Sequence, residues 1–157
     1  MIIFYEPRLE ELWFKQALLA DPETMAYNHA WGGTIAFPRE RWEAWYGYWV
    51  AQPEDKRFYR YLREGDAGDF VGEAAYHWDE ESGRYLADVI VHARYRKKGY
   101  GRQGLKLLCR AAKERGVSVL YDNMAVDNPA LPLFLQEGFC EEERTDELIW
   151  LKKQLTD

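Results

Sequence analysis

The amino-acid sequence predicts an α/β domain with a mixed, mostly antiparallel sheet that contains one parallel pair of strands. Three strand-like segments, 58–64, 69–78 and 84–91, are joined by turns so short that antiparallel hairpins are expected. A helix and another strand follow the third segment, and a strand–helix–strand unit with short loops implies a parallel pair. The chain has the length of one domain, which we place at 1–157.

The segments before these strands read as a short strand at 2–5 and two helices. The first helix is expected from Pro7, where a missing backbone N–H costs nothing, and the second from Pro38. One aromatic stripe runs along the second helix at helical spacing: Trp42, Trp45, Tyr46 and Trp49. Such a stripe is typical of a helix face that packs in a core, although a ligand wall has the same pattern.

After residue 91 a second series of elements completes the chain. Glycines interrupt or end its helical segments, as at Gly116 and Gly138. The predicted elements are a helix, a strand, a short helix and two strands, at about 99–115, 117–124, 128–137, 139–144 and 148–152. The whole order is therefore β α α β β β α β α β β, with about four helices flanking the sheet.

Composition and charge exclude several classes of protein. The net charge of −6 argues against a non-specific nucleic-acid binder, which needs a broad basic face. No apolar stretch is long enough to span a membrane, and the first residues lack the basic start of a secretory signal. We therefore expect a cytoplasmic protein without a nucleic-acid or membrane partner.

Two cysteines, Cys109 and Cys140, show neither a CxxC motif nor metal-ligand spacing. Both are expected to be buried, reduced thiols. The three histidines are far apart in the sequence, and no metal site is predicted.

A basic, glycine-bearing loop carries the strongest chemical signal. The segment Arg96-Lys97-Lys98-Gly99-Tyr100-Gly101 follows a strand and opens a helix, and Arg102 adds further positive charge. A helix N-terminus has free N–H groups and partial positive charge, and glycines let a phosphate approach the backbone. This combination predicts a diphosphate site.

Two classes of ligand compete for that site. Gly99-x-Gly101-x-x-Gly104 also matches the dinucleotide fingerprint, with Asp122 near the expected distance. That fingerprint normally follows the first strand of a larger doubly wound fold, and only one strand–helix–strand unit remains here. A nicotinamide or flavin oxidoreductase is therefore the weaker alternative.

The basic loop and a later segment together resemble the GNAT superfamily of N-acetyltransferases. The loop is similar to its R/Q-x-x-G-x-G/A signature. The second segment, Asp127-Asn128-Pro129-Ala130 with Leu133-Phe134 and Gly138-Phe139, is similar to its N-x-x-A…F-Y-x-x-x-G-F stretch. The resemblance implies the GNAT fold, in which the strand before the loop splays from the strand after the helix. It also implies acetyl-CoA as co-substrate, with no metal.

The resemblance assigns cofactor contacts residue by residue. The amides of the loop would hold the diphosphate, and the strand before the loop would pair with the pantetheine arm. The N–H of Val91 would bond the thioester oxygen and stabilise the oxyanion. The full set of expected cofactor contacts is Ile90, Val91, Arg96, Lys97, Lys98, Gly99, Tyr100, Gly101, Arg102, Asn128 and Phe134. Asn128 is equally explained as a helix cap.

Family members usually attack the thioester directly with an amine, which needs a base to take its proton. Three carboxylates on the central strands are candidates: Glu73, Asp88 and Asp122. Each is also explained as a hydrogen-bonded structural acid, and the sequence leaves the choice open. The usual proton-donating Tyr of the fourth helix is here Phe134, which cannot donate a proton.

The acceptor is predicted to be a small-molecule or peptide amine. Tyr27 and Trp31 lie off the aromatic stripe and are expected to form a wall for a cation or a flat ligand. The predicted function is therefore N-acetyl transfer from acetyl-CoA to a primary amine, in a possible homodimer. The absence of the usual Tyr keeps open a non-catalytic acyl-CoA-binding regulatory module.

Overall fold

This computed structural model describes residues 1–156, which form a seven-stranded sheet with helices on both faces. The strands are β1 (Ile2–Tyr5), β2 (Arg57–Glu64), β3 (Phe70–Asp79), β4 (Arg84–Val91), β5 (Val119–Ala125), β6 (Cys140–Arg144) and β7 (Leu148–Gln154). Their order across the sheet is β1-β2-β3-β4-β5-β7-β6. The predicted order of strands along the chain is confirmed.

The parallel pair lies in the middle of the sheet. Within residues 1–156, β4 and β5 run parallel while every other neighbouring pair is antiparallel. In the described residues their register joins only Tyr85 to Leu120 and Leu86 to Tyr121. Past Leu86 the two strands diverge, so a gap opens beside the last five residues of β4. The mixed sheet with one splayed parallel pair is confirmed.

Four α-helices flank the sheet in residues 1–156: α1 (Trp13–Ala20), α2 (Trp42–Tyr46), α3 (Tyr100–Glu114) and α4 (Leu131–Gln136). The first helix does not begin at Pro7, because a 3-10 turn, Leu9–Glu11, comes first. The second is likewise preceded by a 3-10 turn, Arg39–Arg41. The irregular segment between them contains a 3-10 stretch, Thr24–Trp31, which we call the roof segment.

The sheet divides the interior into two apolar clusters. On one face Leu105 and Leu108 of α3 pack against the sheet together with Phe134 of α4. On the other face Leu12 and Leu18, from the region of α1, pack beneath the aromatic residues of α2. The two clusters lie on opposite faces of the sheet, so β4 is packed between them.

The aromatic stripe of α2 packs in the second cluster, as its spacing predicts. Trp42 is buried and stacks on Phe37, and Trp45 meets Tyr59 edge to face at 4.7 Å between ring centroids. The helix ends in a π-helical turn, Gly47–Ala51, which carries Trp49. Trp45 and Trp49 also border the cavity described below, so the stripe serves the core and a binding site together.

The expectation that both cysteines are buried is wrong for Cys140. Cys109 is buried in α3, but Cys140 is exposed because β6 is the edge strand, with all of its residues exposed. Sequence alone does not distinguish an edge strand that starts with Cys from a buried one.

Candidate active site

A cavity of about 1010 Å³ lies along the open edge of β4. Residues 86–91 of β4 line it, together with the roof segment, β5, the start of α3 and α4. It extends from the basic loop at one end to Trp49 and His77 at the other. Its volume is at the upper end of the range for small-molecule and cofactor sites.

The gap between β4 and β5 leaves backbone groups of β4 pointing into this cavity. His92 donates its N–H to the carbonyl of Val71 at 2.8 Å, and Ile90 is in register with Glu73. Because hydrogen-bonding direction alternates along a strand, Ile90 also faces β3, whereas Val89 and Val91 face the gap. The backbone of Val89, rather than that of Ile90, therefore faces the side where a pantetheine arm would pair. Val91 also faces the gap, as its expected bond to the thioester oxygen requires.

Gly72 allows β3 and β4 to approach closely beside the gap. A Cβ atom at this position would lie 2.2 Å from the carbonyl oxygen of Ile90, so no other residue fits without moving a strand. The position of Val91 thus depends on a glycine in the neighbouring strand.

The basic loop has the backbone of an anion site. Lys97 and Gly99 both adopt left-handed conformations, with φ of 66° and 78°. Such residues within a tight turn direct N–H groups to one side and form a concave anion-binding nest. The first hydrogen bond of α3 runs from the N–H of Gln103 to the carbonyl of Gly99, so the N–H groups of residues 100–102 precede it. The exposed side chains of Lys97 and Lys98 add positive charge.

Two arginines of this region anchor the loop. The guanidinium of Arg96 donates to the carbonyls of Thr24 at 2.8 Å and Val91 at 3.3 Å. The Nε of Arg102 lies 3.1 Å from a carboxylate oxygen of Glu137. Their side chains tie the loop to the roof segment, to the end of β4 and to α4, while the contact expected of Arg102 was through its backbone amide.

Two glycines of α3 lie where other elements come close. A Cβ on Gly101 would be 3.3 Å from Leu133 of α4, and one on Gly104 would be 2.8 Å from Leu62 of β2. Gly104, the third glycine of the dinucleotide pattern, is therefore explained by packing of α3 on the sheet.

The second motif segment forms the wall opposite β4. The side-chain oxygen of Asn128 accepts the N–H of Ala130 at 2.8 Å and so stabilises the turn that precedes α4, whose N-cap is Ala130; Asn128 also lines the cavity. Phe134 is buried, packs on Phe139 at 4.9 Å between centroids, and contributes to the same wall. Tyr100 also borders the cavity, with its hydroxyl donated to Glu64.

All three candidate bases line the cavity, but in different states. Asp88 is exposed to the open cavity, and the protein packed around that cavity together with the charge of Glu73 raises the pKa of its carboxyl to about 7, against the opposing charge of Lys15. Desolvation and the charge of Asp88 raise the pKa of Asp122 well above its usual range. Near neutral pH, Asp88 is therefore divided between its two forms, and Asp122 favours its protonated form more than a free carboxyl does.

Glu73 is held in a buried ion pair that the sequence did not predict. Its carboxylate lies 2.9 Å from the ammonium of Lys15 and accepts the hydroxyl of Tyr59. Lys15 is 7% exposed and belongs to α1, 58 positions away along the chain. The available signal was a single lysine on the apolar face of α1, but its partner depends on how α1 crosses the sheet.

The roof segment closes the cavity from above. Tyr27 is half-buried, and desolvation together with the nearby carboxylates Asp88, Glu73 and Asp122 raises the pKa of its phenol, so the hydroxyl stays protonated. Trp31 borders the cavity while remaining 53% exposed. The imidazole of His29 lies 3.1 Å from the carboxylate of Asp127, which joins the roof segment to the turn before α4.

The model of the acetyltransferase (GNAT) family matches residues 16–139. The chain belongs to this family. Solved structures with the same fold include yncA from Salmonella typhimurium with acetyl-CoA, at 21% identity and a TM-score of 0.75 over 100% of this chain and 94% of that chain. No curated protein sequence matches the chain significantly.

Two further GNAT-fold structures differ in their acceptors. One is a ribosomal-protein-alanine N-acetyltransferase from Brucella melitensis, at 23% identity and a TM-score of 0.74 over 98% of this chain and 99% of that chain. The other is a spermidine N-acetyltransferase from Vibrio cholerae with CoA and spermine, at 17% identity and a TM-score of 0.75 over 98% and 95%. The shared fold therefore does not identify the acceptor of this chain.

Family membership decides between the two ligand classes for the basic loop. As a GNAT acetyltransferase the chain is an acyltransferase with acetyl-CoA as co-substrate. The alternative, a nicotinamide or flavin oxidoreductase, is therefore excluded. In residues 1–156, no group of three or more His, Cys, Asp or Glu side chains is placed to hold a metal ion. None of the helices in that range has the length and apolar character needed to cross a bilayer.

Proposed function

We propose that this GNAT chain, acting as one domain over 1–157, acetylates a primary amine by direct attack of the amine on the thioester of acetyl-CoA. The observation that carries the proposal is one shared cavity. It contains the gap-facing backbone of Val89 and Val91, the carboxyl of Asp88, and the N-terminus of α3. A pantetheine arm that runs from α3 along Val91 and Val89 would carry its thioester towards Asp88, where the amine would meet it.

The residues present fit the co-substrate. The nest of residues 97–102 offers backbone N–H groups and positive charge for a diphosphate. The open edge of β4 offers the N–H of Val89 and of Val91, which a pantetheine arm with two amides would pair as an added strand. When bound, acetyl-CoA supplies the acetyl group as an activated thioester.

Asp88 is the best supported base. It projects into the cavity, and a carboxyl with a pKa of about 7 is half deprotonated at neutral pH, where base catalysis is efficient. Glu73 is less suitable because Lys15 and Tyr59 already bond to it. The ammonium of the acceptor first loses one proton to solvent; the neutral amine then attacks the thioester carbon, Asp88 takes the second proton from the nitrogen, and the N–C bond forms as the C–S bond breaks.

Asp122 is placed to act as the proton donor that Phe134 cannot be. It stands on β5 one residue beyond the last rung with β4, at the mouth of the gap. Its raised pKa favours the protonated form, which can donate a proton. Two carboxyls in one site can thus divide the roles of acid and base. Asp122 therefore gives its proton to the departing sulfur.

The acceptor is a small molecule or a peptide N-terminus, and Tyr27 and Trp31 lie where its body would rest. The spermidine enzyme from Vibrio cholerae, with spermine bound, supports an amine of modest size. A cytoplasmic location and a homodimer formed through terminal strands stay predictions from the sequence.

Calorimetric titration with CoA tests the cofactor site through a matched pair of variants. Gly99→Val and Gly116→Val both replace a glycine of positive φ with open space around it, at opposite ends of α3. Both are expected to lose similar stability. Only Gly99→Val is expected to lose CoA binding, since Gly99 opens the nest. Equal binding by both variants, or no heat from the unmodified protein, overturns the proposal.

A regulatory module that binds acyl-CoA without catalysis is the second candidate, and Phe134 is the residue that favours it. Release of free thiol from acetyl-CoA, measured with and without a mixture of amines, separates the two. Amine-dependent thiol release supports the enzyme. CoA binding without any such release supports the module.

A further inference from the structure

The cavity continues along β4 beyond Asp88, away from the basic loop. This distal end is reached at Leu86, which is paired with His77 of β3. Two residues along a strand separate Asp88 from Leu86, roughly 7 Å. A molecule with its amine at Asp88 would thus place atoms two to four bonds from the nitrogen against the distal end.

The aromatic cage next to this end is already filled by the chain itself. The ammonium of Lys15 lies over the rings of Trp45 at 4.8 Å and Tyr59 at 4.9 Å, while bonded to Glu73. A cation from outside finds no empty cage here. Because Lys15 and Glu73 neutralise each other, neither offers a free charge to a carboxylate or second ammonium of the acceptor.

Apart from Asp122, which lines it from β5 beside the rung with Leu86, the remaining surface of the distal end is aromatic or aliphatic. Trp49 meets the ring of His77 edge on at 5.7 Å, and Leu86 lies beside them. Desolvation lowers the pKa of His77, so its imidazole is neutral at neutral pH. Toward the mouth, Trp31 and Ile35 are partly solvent-exposed, at 53% and 44%. Flat apolar groups gain most from such walls.

We infer that the acceptor is an arylalkylamine-type monoamine: its amino group pairs with Asp88 and its flat apolar tail packs against Trp49 and Leu86. This rests on the proposed function and narrows its acceptor. Of the carboxylates that line the cavity in residues 1–156, Asp122 stands nearest the distal end, across the gap from Leu86, so a polyamine is the alternative acceptor that the experiment must exclude. An amino acid would bring its carboxylate close to Asp88.

A panel of three amines tests the inference in the full-length protein. We expect kcat/KM, measured by thiol release, to be at least about tenfold higher for 2-phenylethylamine than for spermidine or phenylalanine. Calorimetry with CoA is run in parallel. If CoA binds and thiol release with spermidine or phenylalanine is the faster, this inference fails while the proposed function stands. If no amine releases thiol, the proposed function fails with it.

The variant Trp49→Ala tests whether the apolar tail of the amine packs against Trp49. It should lower the preference for 2-phenylethylamine over ethylamine by about tenfold, the usual cost of losing part of an apolar pocket. Trp13→Ala is the control, since Trp13 is 55% exposed and does not line the cavity, and it should leave the preference unchanged. Quenching of tryptophan fluorescence by 2-phenylethylamine in the CoA complex should weaken only in Trp49→Ala. Equal behaviour of both variants in both measurements overturns the inference.

Discussion

The ammonium of Lys15 and the carboxylate of Glu73 form a buried ion pair across α1 and β3, 2.9 Å apart, in the wall of the cavity. Removing one member of such a pair leaves an uncompensated buried charge, which costs about 3–5 kcal/mol. The pair therefore fixes α1 on the sheet and keeps the distal end of the cavity neutral.

Lys15→Met and Glu73→Gln are each expected to lower the free energy of unfolding by about 3–5 kcal/mol, and the double variant by less than the sum. Urea unfolding followed by fluorescence measures all three. Lys56→Met is the control, because its pair with Glu80 is exposed and worth less than about 1 kcal/mol. Additive losses in the double variant would contradict the buried pair.

The pH dependence of the reaction should follow Asp88. Below a pKa of about 7 its carboxyl is protonated and cannot accept a proton, so kcat/KM should rise with pH and level off above about 7. Asp88→Asn should lower kcat by about 10²- to 10⁴-fold and abolish this ionisation. Asp146→Asn, in the turn before β7, serves as the control. A full pH profile in Asp88→Asn would show that another group is the base.

The same carboxyl should weaken the fold at high pH. The pKa of Asp88 is higher in the folded chain than in the unfolded chain, so the folded state binds more protons between pH 4 and about 7. Its contribution to stability is present at low pH and is lost as the pH rises through 7. Asp88→Asn, which cannot ionise, should therefore gain stability relative to the unmodified protein between pH 4 and 8. Chemical denaturation at both pH values measures the difference, and an unchanged difference would contradict the raised pKa.

Loss of the proton donor should be repairable. Asp122→Asn is expected to lower kcat by about 10²-fold, since an amide cannot protonate the departing sulfur. Adding Phe134→Tyr supplies a phenol from α4 and should recover part of the loss, whereas Phe134→Tyr alone should change kcat little. The measurement is the kcat of the three variants. If Asp122→Asn leaves kcat unchanged, Asp122 is not the proton donor.

Local patterns in the sequence were sufficient for the order of elements and for one parallel pair, whereas the splay of that pair was implied by the resemblance to the GNAT family. The spacing of Trp42, Trp45 and Trp49 predicts a core-facing helix, and the glycines after β4 predict the loop and the start of α3. The exact starts of α1 and α4 escaped prediction, because the 3-10 turn before α1 and the Asn128 turn before α4 depend on hydrogen bonds that no periodicity shows.

The partners of charged side chains could not be predicted from the sequence. Arg96 was expected on a phosphate, yet its guanidinium bonds to Thr24, 72 positions away. No sequence pattern indicates that Lys15 is paired, because one lysine among apolar residues of α1 resembles a solvated position. Only the assembled fold places Glu73 next to it. Such pairings arise from tertiary contacts and are visible only when the elements are assembled.

The divergence of β4 from β5 also means that the ligand-free sheet is interrupted at its centre. The backbone amides of Val89 and Val91 have no neighbouring strand there in residues 1–156, so they should exchange hydrogen with solvent faster than those of Ile90 and His92. A bound arm with amides at matching spacing would protect them and make the two halves of the sheet continuous. Short peptide-like compounds that imitate this arm are thus a rational starting point for inhibitors.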